Sequence, residues 1–92
     1  DISYFKADEK YVTIQTKQAK NYILDTSLKK LEEKLPAHFI RVHKSYIINK
    51  SLLKEVRKHF NNRFVLILED YEQTRITSGR NYFSMIKDLF EF

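Results

Sequence analysis

These 92 residues contain no cysteine, one glycine and one proline. Without cysteine the chain can form neither a disulfide nor a Cys-based zinc site, and a reducing compartment is compatible with that. A single glycine, Gly79, cannot build a phosphate-cradling glycine loop or a dinucleotide fingerprint. No apolar run approaches the ~20 residues needed to cross a bilayer, and no signal peptide is recognisable. Metal-ligand spacing is missing too: His38, His43 and His59 show no i,i+4 pairing and have no acid at ligand spacing beside them. Ser45 lies two residues from His43, but no third group orients the imidazole and no G-x-S-x-G elbow exists. The expectation is a non-enzyme with no catalytic residues, no metal and no cofactor.

Acids are scarce in one stretch. From Ala37 to Arg63 seven basic residues (Arg41, Lys44, Lys50, Lys54, Arg57, Lys58, Arg63) stand against one acid, Glu55, a local net of +6. The whole chain carries +5, so everything outside that window sums to −1. Such concentrated charge, with a pI of about 9.5, points to a polyanionic partner.

What the chain does have is apolar residues, at 42%, with 14% aromatic. That composition excludes a disordered tail and suits one domain over residues 1–92 with a modest core. Asp1 in place of a Met is expected of a piece of a longer protein.

Strand patterns dominate. Ile2 to Ala7 reads as a strand, followed by the polar loop Asp8-Glu9-Lys10. Tyr11 to Thr16 alternates apolar and polar, Lys17 to Lys20 is a turn, and Asn21 to Leu24 is a third strand. A helix follows, capped by Asp25 or Thr26, carrying the stripe Leu28, Leu31, Leu35 and ended by Pro36. Phe39–Val42 and Tyr46–Ile48 are short strands around His43-Lys44-Ser45. Leu52 to Phe60 and Phe64 to Leu68 form a hairpin about Asn61-Asn62. Phe64–Leu68 is apolar on both faces and reads as a central, covered strand, and Phe5, Phe39, Phe60 and Phe64 are expected in the core. Glu69 to Glu72 is an acidic turn and Gln73 to Thr77 a last strand. Ser78 can cap a final helix in which Tyr82, Met85, Ile86, Leu89 and Phe90 share a face.

Three braced spots near strand ends could present donors to phosphates and base edges: Asp8 to Lys10, the triplet around Lys44, and Arg80. Gly79 beside Arg80 allows a close approach or a sharp turn.

The run Phe39-Ile-Arg-Val-His-Lys-Ser-Tyr-Ile-Ile-Asn49 closely resembles the central signature of the LytTR domain, the DNA-binding output module of LytR/AlgR-type bacterial response regulators. Ser3 to Val12 resembles that family's opening strand and loop, Leu28 to Phe39 its helix and Leu-Pro break, and Ser78-Gly-Arg-Asn-Tyr82 its closing motif. The resemblance covers essentially the whole chain. It implies a mainly β, elongated arrangement of small, mostly antiparallel sheets with one or two short helices. It implies loops inserted into successive major grooves of double-stranded DNA, with base contacts at Lys44, Arg80, Lys10 and Tyr11. His43, Ser45 and Asn49, with Arg41, Lys50, Arg57 and Lys58, fall to phosphate contact or loop bracing, and Lys54 and Arg63 to phosphate contact. It further implies imperfect direct repeats bound by a homodimer, an N-terminal receiver domain, a cytoplasmic location and no membrane contact.

Two departures from the family stand out. The first loop reads Ala7-Asp8-Glu9-Lys10-Tyr11 where Ala-x-Gly-Asn-Tyr is frequent, and Tyr71 occupies a turn position where glycine is common, implying a wider turn with an acidic edge. The competing reading is a basic protein-interaction module offering Tyr4, Tyr11, Tyr22 and Tyr82; a third, single-stranded nucleic acid stacked on sheet aromatics, needs exposed rings on adjacent strands.

Overall fold

The computed structural model describes residues 1–91. Eight strands carry the chain: β1 (Ile2–Ala7), β2 (Val12–Thr16), β3 (Asn21–Leu24), β4 (Phe39–His43), β5 (Tyr46–Asn49), β6 (Leu53–His59), β7 (Arg63–Leu68) and β8 (Arg75–Thr77). Helix α1 spans Leu28–Glu32 and α2 spans Phe83–Phe90, with 3-10 turns at Lys50–Leu52 and Arg80–Tyr82. The strands make two antiparallel sheets, one ordered β3-β2-β1-β5-β4 and the other β6-β7-β8. The molecule is longer than wide, 34 × 26 × 22 Å.

Layering follows from side-chain alternation. On β5, Ile47 faces one side of the five-stranded sheet and Ile48 the other, and each joins a different core. Ile48 packs with Val42, Phe64, Leu66, Leu68, Ile76 and Ile86, so this core fills the gap between the two sheets and α2. Ile47 packs with Phe5, Val12 and Leu28, against α1 on the opposite face. Ile2 joins the same core as Phe5, although they are an odd three positions apart on the strand, because the β1–β2 register shifts between Ile2 and Tyr4. The Phe64 and Phe83 rings stack at 5.0 Å and fix α2 on the three-stranded sheet.

Several local expectations are corrected. Ser27, not Asp25 or Thr26, caps α1: its hydroxyl accepts from Lys30 N at 3.2 Å, the reach of an N-cap to the third helical residue. The helix stops at Glu32, well before Pro36, and Leu35 reaches the core from the following turn. Ser78 does not cap the last helix. It is buried, and its hydroxyl accepts from Phe64 N at 2.9 Å, so a 3-10 turn intervenes before α2.

Gly79 has φ −78°, so no sharp left-handed turn requires it; a Cβ there would lie 3.2 Å from the Tyr82 ring, and close packing is its constraint. The last strand is only Arg75–Thr77, because Gln73 takes φ 52° in the preceding turn. That acidic turn is not all surface: Asp70 is buried, accepting from Ser3 Oγ at 2.8 Å and from the Thr74 amide and hydroxyl, which ties the two sheets together. Tyr71 in the same turn is exposed. Phe60, expected in the core, is 71% exposed at the β6–β7 turn. Among the described residues no helix is long and apolar enough to cross a membrane.

Candidate nucleic-acid interface

The β4–β5 connection is tight: His43 pairs with Tyr46 across it, leaving Lys44 and Ser45 at the tip. Its backbone groups are held from three sides. Ser45 O accepts from Ala7 N at 2.8 Å, which docks the first loop against the tip. Val42 O accepts from Gly79 N at 2.9 Å, which docks the segment leading to Arg80 on the other side. Arg41 closes the arrangement. Its guanidinium donates to His43 O at 3.2 Å, to Lys44 O at 2.6 Å, and to the Glu32 carboxylate on α1. The three spots separated in sequence are therefore one surface.

His43 is oriented by its neighbours. Its Nδ1 accepts from Ser45 N at 3.0 Å, and its ring meets Tyr46 edge-on at 5.6 Å. Partial burial lowers its pKa from the ordinary value, and the cations Lys44, Arg63 and Arg41 push the same way. A neutral imidazole is the form that can accept from Ser45.

Two open grooves flank Lys44. One, about 420 Å³, is lined by the first loop (Asp8 to Tyr11) and by Arg41, Lys44 and the start of α1. The other, about 260 Å³, is lined by His43, Lys44, Arg63, Arg80, Asn81 and Tyr82, with no acid. Lys44 belongs to both. Glu9 and Asp8 give the first groove mixed sign, whereas among the described residues the only charged ones lining the second are the cations Lys44, Arg63 and Arg80. Among the described residues no cluster of His, Asp or Glu is placed to hold a metal ion.

The basic residues sort by what they touch. The side chains of Lys10, Lys44, Arg63 and Arg80 make no hydrogen bond or ion pair with the described protein, and all four line these grooves. Arg41 is engaged within the fold, and Arg57 is paired with Glu55. Asn49 is buried: its amide donates to Ile2 O and accepts from Ser51 N, so its polar atoms are used inside. Lys50 leaves β5 at the end opposite Lys44, roughly 20 Å along the strand. Lys54, the second residue of β6, lies at the end remote from Arg63 and donates to Gln73. Lys58 sits one residue before His59, opposite Phe64, close to the grooves' end of the sheet. Ser45 is half-buried at the tip and Tyr11 is exposed at the rim of the first groove.

Sequence reasoning missed two participants. Asn81 lines the cationic groove beside Arg80, and its place inside the closing motif was the available signal. Glu32 anchors Arg41 from nine residues away, and no sequence pattern announced that.

Two antiparallel sheets that bring three loops to one cationic surface define a β-scaffolded polyanion-binding domain. The model of the LytTr DNA-binding domain family matches residues 1–91. The chain is similar to the sensory transduction protein LytT of Bacillus subtilis, 33% identical over 90 residues that cover 97% of this chain and 36% of that protein. It is similar to the transcriptional regulatory protein LytR of Staphylococcus aureus, 38% identical over 76 residues, 82% of this chain and 30% of that one. The transcriptional regulatory protein YpdB of Escherichia coli K12 is 33% identical over 73 residues, 78% of this chain and 30% of its own.

Among solved structures, a LytTr DNA-binding domain of a putative methyl-accepting/DNA response regulator from Bacillus cereus superposes with a TM-score of 0.87 at 25% identity, covering 99% of this chain and 82% of that one. The chain belongs to the LytTR family of DNA-binding domains. It spans about a third of the length of these curated relatives. Membership supports DNA binding in transcription regulation.

Proposed function

We propose that this domain reads specific sequences in double-stranded DNA as the output part of a bacterial two-component regulator. The observation that carries the reading is the convergence of three loops and four unpaired cations, Lys10, Lys44, Arg63 and Arg80, on the two grooves beside the β4–β5 tip. Lys44 and Arg80 flank a groove without acids, where each can donate to guanine O6 and N7, while Lys10 and Tyr11 approach from the first loop. The 34 Å length of the molecule is about one helical turn of DNA, which suits loops entering successive major grooves on one face of the duplex. Lys50 and Lys54, remote from the tip, carry no part of this base reading.

The relatives' greater length leaves room for a receiver domain, and binding to imperfect direct repeats would pair two copies on DNA. Such a regulator works in the cytoplasm, and no catalytic step is assigned to any residue. The test is fluorescence anisotropy with a duplex chosen by in-vitro selection against a scrambled one, at two salt concentrations. A preference on the order of 10³ that falls in Lys44→Ala supports the reading. Equal, purely salt-driven binding to both duplexes overturns it in favour of a basic protein-interaction module.

A further inference from the structure

The β6–β7 hairpin belongs to none of the three loops, yet its turn lies at the same end of the molecule. Arg63, the first residue of β7, lines the cationic groove with His43, Lys44 and Arg80. Ser78, bonded to Phe64, and Gly79, bonded to Val42, hold that end of the three-stranded sheet against the β4–β5 tip. The turn is the three residues Phe60-Asn61-Asn62 between the paired His59 and Arg63, and Asn61 and Asn62 both take positive φ, 61° and 56°, which asparagine tolerates. The turn is therefore a defined structure and not a slack loop.

Two side chains of this turn lack any purpose inside the protein. Phe60 is 71% exposed and its ring lies beside the neighbouring His59 ring, at 4.4 Å between centroids. An apolar ring so placed contributes little to folding. Arg63 is half-buried, its Nε is shielded from water, and nothing in the described protein accepts from it. A guanidinium partly removed from water without a carboxylate is unfavourable unless an anion arrives. From Arg57 to Arg63 the chain has three basic residues (Arg57, Lys58, Arg63), one histidine (His59) and no acid. Charge and shape both match a duplex edge: a phosphate for the cation and a sugar or base step for the ring.

We propose that the β6–β7 turn is a fourth DNA-contacting element, in which Arg63 seats a backbone phosphate and Phe60 packs into the groove flanking the bases read by Lys44 and Arg80. The proposal rests on the DNA-reading function above. Phe60 acts as an apolar wedge against the sugar edges of a base step, the kind of contact that partly unstacks DNA and bends it. Arg63 acts as a point of counterion release and carries no base information.

The experiment uses this domain with a selected duplex that carries 2-aminopurine in turn at each step flanking the site. Variants are Phe60→Ala, Phe60→Leu, Arg63→Gln and Lys44→Ala, each checked for an unchanged circular-dichroism spectrum and melt. Phe60→Ala should weaken cognate binding roughly ten-fold with an unchanged salt slope. It should also abolish a 2-aminopurine brightening that Phe60→Leu retains. Arg63→Gln should flatten the salt slope by about one. If binding stays selective and sensitive to Lys44→Ala while Phe60→Ala and Arg63→Gln behave as wild type, the fourth element is wrong and the three-loop reading survives. If the unsubstituted domain shows no preference for the selected duplex, both readings fall together.

Discussion

Arg41 donates through Nη2 to the carbonyl oxygen of Lys44 at 2.6 Å, so a strand residue fixes the backbone of the loop residue three positions on. The first cation of the basic segment is thereby turned inward, as a clamp on the tip that carries Lys44. Replacing it with Met should leave two tip carbonyls without their donor and loosen that loop. The expected loss is about 1–2 kcal/mol of stability, with faster hydrogen exchange at the Ser45 amide. Lysine cannot make the forked contact, so Arg41→Lys should not restore protection. Exchange unchanged from wild type would contradict the clamp.

Lys44→Ala and Arg80→Ala should each cost ~1–3 kcal/mol on the cognate duplex and relax discrimination at one base position. Lys54→Ala, altered at the remote end of β6, should leave the selected sequence unchanged. Repeating the in-vitro selection with each variant is the check, and a Lys54→Ala consensus that shifts as Lys44→Ala does would remove the distinction.

Asp70 joins the β7–β8 turn to β1 through Ser3. Asp70→Ala strands the Ser3 hydroxyl and the Thr74 amide and hydroxyl in a buried site, so unfolding should become easier by about 2–3 kcal/mol. The urea midpoint should fall with little change in slope. Asp70→Asn, which keeps the shape and one acceptor, should cost less.

His43 gives stability a pH dependence of defined sign. Its folded pKa lies below the ordinary value of 6.5, through burial first and then Lys44, Arg63 and Arg41. Between the lowered value and 6.5 the unfolded chain holds more proton than the folded one. Stability is thus present above about 6.5 and declines as pH drops through that window. His43→Gln should remove this contribution, visible as a shallower fall in melting temperature between neutral and mildly acidic pH.

Much of the strand order was readable because alternation and turn chemistry are local: β1 to β3, the β6–β7 hairpin about Asn61-Asn62, and the central β7 all lie where pattern put them. Failures cluster where a local signal had a distant competitor. Ser78 carries an N-cap side chain, yet Phe64, fourteen residues away, uses its hydroxyl. Phe60 looked like core because it is apolar and ends a strand, but strand length, not hydropathy, decides which residue sits past the sheet. Of the candidate site, the central motif and the closing motif were visible as residues. Their adjacency was not, since it depends on Ala7 bonding to Ser45 and Gly79 to Val42 across long stretches of chain.

Strand β6 is an outer strand of its sheet, and Lys54, Arg57 and Lys58 stand exposed along it. An open strand edge invites pairing with another chain, and long charged side chains are a common way to discourage that. Three exposed cations along β6 suit that role whether or not DNA is present. Neutralising them would show up first as turbidity and lost solubility at high protein concentration, an outcome that a binding assay alone would mistake for weakened affinity.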